Sequence, residues 1–175
     1  MTGSQETRKM VFFTAADAPS LDEDGMMEPA VIDPAAFAEI DLEPYSKASR
    51  LSVLFKGSGP DGFSLVHVTF DAGFRLPRHT HSVDCLYYVI SGEAIMGARR
   101  LGAGDGFFIR AGVPYAYEAG PQGVEVLEFR AATSFDIQVL DQTAERWRAI
   151  VASLARAGVE AQAETQAGAV ATTAG

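Results

Sequence analysis

Gly73-Phe-Arg-Leu-Pro-Arg-His79-Thr-His81-Ser-Val-Asp-Cys85-Leu-Tyr-Tyr-Val-Ile-Ser-Gly92 is the most informative stretch of the chain. On a strand, side chains alternate between faces, so His79 and His81 at i and i+2 project to the same side. That spacing offers two imidazoles to one metal ion, although a His-x-His pair taken alone often arises by chance. Cys85, Tyr87 and Val89 share a second alternating face, and Tyr115 and Tyr117 alternate likewise further on.

The same texture extends outward in both directions. Leu51–Phe55, Phe63–Phe70, Leu86–Ile90, Phe107–Ile109, Tyr115–Tyr117 and Val124–Phe129 are short apolar runs. Turn signals stand between them: residues 56–62, Asp71-Ala-Gly73, Ser91-Gly92, Gly102-Ala-Gly-Asp105, Ala111-Gly112 and Ala119-Gly-Pro121. Strands at this spacing predict an all-β antiparallel sandwich or barrel. A parallel sheet needs helix-length crossovers, and the sequence offers none here. The barrel is assigned to residues 51–135. Residues 1–50, with Asp22, Glu23, Asp24, Glu28 and several prolines, read as an arm packed on it, and Asp33-Pro34 reads as the start of a short helix. In 136–158, Trp147, Ile150, Val151 and Leu154 fall at i, i+3, i+4 and i+7, the stripe of a C-terminal helix. Asp141 is its expected N-cap and Gly158 its expected stop. The stripe packs on the barrel or on a second subunit. Residues 159–175 lack aromatic residues and read as a disordered tail.

Composition narrows the function classes. The 175 residues carry 14 basic and 23 acidic side chains, a formal net charge of −9. An acidic chain is a poor partner for phosphate backbones, so no nucleic acid is expected. No apolar run reaches the ~20 residues of a membrane-spanning helix, and the polar start predicts a cytoplasmic protein. The single cysteine, Cys85, excludes an internal disulfide.

With Gly73, His79, His81 and Gly92 in register, the stretch resembles the first motif of the cupin superfamily. The second cupin motif is matched in part by Gly104-Asp105 and Arg110-Ala-Gly112-Val-Pro-Tyr115. The resemblance spans roughly Phe63 to Phe129 and implies a single-domain, RmlC-like jelly roll, together with a small-molecule substrate and a homodimer. The arm, the Leu51–Phe55 edge and the Trp147 helix are the candidate dimer contacts. The departures from the pattern are specific: Cys85 stands where the family carries its acidic ligand, and Tyr115 where it carries its third histidine.

Two function hypotheses follow. In the first, His79 and His81 hold a divalent metal (Fe, Mn, Ni or Zn), completed by Cys85, Glu128 or water. Thiolate and imidazole donors suit such ions, and two histidines with one carboxylate make a facial site. Tyr115 then acts as general acid or base, and oxygenase-like chemistry is preferred to lyase or isomerase chemistry. In the second, the cupin is metal-free, and His and Tyr transfer protons or bind a small ligand. Tyr87, Tyr117, Glu128 and His67 are named as substrate-binding residues, with His67 at an unassigned face. Asp84 faces outward if Cys85 faces in.

Overall fold

Ser64-Leu-Val-His-Val-Thr-Phe70 alternates buried and half-buried side chains without a break, as a strand with one face on a core must. The structure, a computed structural model, describes residues 10–28, 34–36, 39–59 and 62–157. Its strands are β1 (Ser49–Lys56), β2 (Ser64–Phe70), β3 (His79–Thr80), β4 (Cys85–Met96), β5 (Arg99–Leu101), β6 (Gly106–Ile109), β7 (Glu118–Arg130) and β8 (Gln138–Val139). All of their pairings are antiparallel. The larger sheet runs β1-β2-β7-β4-β5, with β6 also paired to β4, and β3 pairs β8 in a second, two-stranded sheet. The two layers enclose one apolar core containing Val53, Val66, Val68, Phe70, Tyr87, Val89 and Val126. This is a jelly roll, as the turn spacing and the motif resemblance predict.

Two expected breaks are not breaks. Ser91-Gly92 lies inside β4, and Ala119-Gly-Pro121 lies inside β7. The β4–β7 register shifts between Val89 and Ser91 and again between Gly92 and Ala94, so the strands absorb the glycine as bulges and continue. Gly92 sits at φ 69°, and a Cβ built there would lie 2.2 Å from the Gly123 carbonyl oxygen. Only glycine fits both the dihedral and the contact. A tight turn at Met96-Gly97 joins β4 to β5, with Met96 opposite Arg99. Tyr115–Tyr117, expected as a strand, is not one. Tyr115 makes only an isolated bridge to His79.

At the N-terminal side, α1 (Leu21–Asp24) is capped by Ser20, whose side chain accepts from the Glu23 amide while Glu23 reaches back to the Ser20 amide, a reciprocal capping box. Leu21 and Met26 are buried in the main core, and α2 (Glu43–Lys47) carries Tyr45. A third helix, α3, occupies 144–157. It begins at residue 144 rather than at 136, because β8 takes Gln138 and Val139. Its cap is Thr143, which accepts from the Arg146 amide, and not Asp141. The Asp141 carboxylate is used by the Arg78 amide at 2.8 Å. Trp147 and Ile150 bury against Val139, Ile40, Leu42, Tyr45 and Ile137 of the same chain, and Tyr45 meets the Trp147 ring edge-on. Asp33, Gly158 and the expected tail lie outside the described residues. No helix among those described is long and apolar enough to cross a membrane.

Candidate functional site

The second sheet presents His79, and His81 follows just past the end of β3. His79 lies on β3 opposite Val139, and on its other side exchanges backbone hydrogen bonds with Tyr115. Each imidazole is turned by a backbone carbonyl. His79 Nδ1–H donates to Pro77 O at 2.7 Å, and His81 Nδ1–H donates to Asp136 O at 2.5 Å. Both Nε2 atoms therefore carry the lone pair. Burial pushes both imidazoles down to about 4, against the opposing pull of those carbonyls, so they are neutral at physiological pH.

His79, His81, Tyr115 and Glu128 line one cavity of about 50 Å³, together with Arg130, Leu21, Met27, Leu51, Phe70, Leu76, Phe135 and Ile137. The Tyr115 ring centroid is 4.3 Å from that of His79. Its hydroxyl hydrogen-bonds the Tyr87 hydroxyl, and burial raises both phenols far above their ordinary range. They act as protonated hydroxyls and not as phenolate ligands. Tyr117 is buried on the same interior face, its hydroxyl without a partner among the described residues.

Glu128 points inward beside Arg130, which the sequence reading did not single out. The signal was available: Val124, Val126, Glu128 and Arg130 share one parity on β7, and all four are buried. Arg130 is 2% exposed. Its Nη1 forms an ion pair with Glu128 Oε2 at 2.7 Å, and its Nε has no hydrogen-bond partner among the described residues. The guanidinium carbon stands 3.9 Å over the Phe135 ring.

The other named residues fall elsewhere. Cys85 is buried but does not line the cavity, and burial, with Glu128 beside it, pushes its thiol up to about 12. Asp84 faces out and accepts from the Ala111 amide. His67 is not at the cavity. It lies with Leu65 and Thr69 on the outer face of β2 and pairs with Glu125 at 2.6 Å. The reason is parity, because Val66 and Val68 hold the inward positions.

The donors can be set against the divalent metal that the resemblance implies. Two imidazoles are presented with free Nε2 atoms, but among the described residues no three His, Cys, Asp or Glu side chains converge on one point. Glu128 is engaged by a cation, and Cys85 is held as a thiol away from the cavity. Among the described residues these donors do not make a three-ligand divalent site.

No family model and no curated protein matches the chain. Solved structures do. The polyketide cyclase RemF from Streptomyces resistomycificus is 19% identical, with TM-score 0.53, over 83% of this chain and 99% of that one. An RmlC-like cupin from Shewanella frigidimarina is 18% identical, with TM-score 0.47, over 70% and 90%. DMSP lyase DddQ from Ruegeria pomeroyi is 26% identical, with TM-score 0.45, over 50% of this chain. This chain spans about half of that one, 49%. Strand order and the two-layered core, with the likeness to RemF, show the fold: an antiparallel jelly roll.

Proposed function

We propose that the chain is a small-molecule cupin that binds its ligand between the two sheets and moves protons with neutral histidine and tyrosine, without a protein-held metal. One observation carries this reading. His79, His81 and Tyr115 line a single cavity with both Nε2 lone pairs free, while no third donor joins the histidines among the described residues. A neutral imidazole Nε2 accepts a proton from a carbon or hydroxyl acid. The Tyr115 phenol, held protonated, donates a hydrogen bond to the oxygen where charge develops. Isomerisation, dehydration and cyclisation are the reactions within reach. Metal analysis of the wild type beside His79→Ala and His81→Ala tests the reading directly: metal held by the pair would overturn it.

The second reading, a divalent-metal enzyme with oxygenase-like chemistry, has one observation in its favour. Carbonyls that fix Nδ1–H and aim Nε2 are the usual support of metal-binding imidazoles.

The homodimer is also proposed, through the outer face of the larger sheet. Leu86, Tyr88, Ile90, Phe108 and Phe129 are each 37–54% exposed there, and Leu86 is the paired neighbour of both Phe108 and Phe129. Half-exposed side chains of this size present on the order of 500 Å². That is at the upper end for a monomer and over half of the roughly 800 Å² per partner in a standard interface. The α3 stripe is not needed for it, since Trp147 and Ile150 are covered within the chain.

A further inference from the structure

Arg130 is a buried charge whose hydrogen-bonding capacity the described residues do not fill. A buried guanidinium offers five N–H donors in a planar fork; among the described residues Nη1 meets Glu128 and Nε has no hydrogen-bond partner. Ser64, its cross-strand partner on β2, is also buried with an unpartnered hydroxyl oxygen. Buried donors left without partners are costly, charged ones most of all, and native interiors rarely tolerate them without an occupant.

We propose that Arg130 anchors a carboxylate of the ligand, with Glu128 as an internal stand-in that partly neutralises the guanidinium when no ligand is bound. The proposal names the ligand class of the metal-free site described above and rests on that reading. Four observations support it. The guanidinium fork matches a carboxylate in two-point geometry, yet the Glu128 ion pair runs through Nη1 and leaves Nε unpartnered among the described residues. The Phe135 ring under the guanidinium holds its plane. Arg130 lines the same cavity as His79, His81 and Tyr115, so an anchored ligand lies against the proton-transfer groups. The cavity of about 50 Å³ takes roughly three to five water-sized atoms at ~10–15 Å³ each, enough for a carboxylate head. Leu21, Met27, Leu51, Leu76 and Ile137 line the same cavity and make the wall beside that head apolar. The class is a small monocarboxylic acid with an apolar body.

The test uses the full chain, stripped with chelator, and isothermal titration with acetate, butyrate and benzoate against butyramide and benzamide. The acids bind the wild type, and the amides bind at least about tenfold more weakly, as loss of a charged hydrogen bond implies. Glu128→Gln removes the internal competitor and tightens acid binding about tenfold or more. Arg130→Gln abolishes it, and Arg130→Lys keeps part. Because Arg130→Gln is a core change, circular dichroism checks its folding, and the gain in Glu128→Gln stands independently of that result. The proposal is overturned if neither the wild type nor Glu128→Gln binds an acid, if amides bind equally, or if folded Arg130→Gln binds like the wild type. Acid binding that appears only after zinc or iron is added, and is indifferent to Glu128→Gln, overturns the metal-free reading itself and this inference with it. The remaining negative results leave the metal-free reading standing.

Discussion

At the scale of single residues, the site is set by parity and burial. His79 on β3 and His81 just past its end line one cavity, and burial keeps them neutral. The same burial silences Cys85. With a thiol pushed up to about 12, roughly one molecule in ten thousand is thiolate at pH 8, and the side chain is enclosed. Native protein therefore resists iodoacetamide at pH 8 over hours, and one cysteine labels promptly in denaturant. Rapid native labelling would contradict the burial. Tyr115→Phe leaves the buried Tyr87 hydroxyl without its partner, an expected loss of about 1–3 kcal/mol in urea unfolding. The sequence made the inward set Cys85, Tyr87, Val89, Tyr115 and Tyr117 legible from alternation alone. Arg130 was not read the same way, although its parity with Val124 and Val126 places it inside, because an arginine at a strand end is ordinarily solvated. His67 shows the converse: its face follows from Val66 and Val68, which fix the core positions of β2.

At the scale of elements, glycine decides where strands bend and where they stop. Ser91-Gly92 and Ala119-Gly-Pro121 carry the composition of turns, yet β4 and β7 run through them. Pairing along both strands outweighs the local preference, and a bulge accommodates the irregularity. Gly92→Ala combines a left-handed dihedral with a Cβ at 2.2 Å from the Gly123 carbonyl. Urea unfolding should show a loss of about 2 kcal/mol or more. Gly97→Ala, at φ 57° with open space around it, should lose only the dihedral cost of about 1–2 kcal/mol. Equal losses would contradict the bulge account. The helical stripe around Trp147 was legible by its period, but its cap was not. Asp141 is committed to the distant Arg78 amide, a long-range contact that no local pattern reveals, so the cap falls to Thr143. Trp147→Ala removes a buried ring stacked edge-on with Tyr45 and should cost about 3–5 kcal/mol.

At the scale of the molecule, a jelly roll leaves two things to the rest of the chain: closing the cavity and covering the exposed sheet. The arm does the first, placing Leu21 and Met27 at the cavity wall, while β1 takes a bridge from Ser20 to Ser52 along its edge. A second copy does the second in the proposed dimer. Sedimentation should give a dimer that Phe108→Glu converts to a folded monomer, and a wild-type monomer at micromolar concentration would contradict it. The fold was legible because turns and alternation are local. The chemistry was less so, because whether two histidines become a metal site depends on donors brought from β4, β7 and the loop before Tyr115. Elemental mass spectrometry on tag-free protein, desalted after anaerobic loading with iron, manganese, nickel and zinc, tests the central claim most directly. The account predicts wild-type metal no higher than in His79→Ala and His81→Ala, and near one equivalent lost in both variants would contradict it.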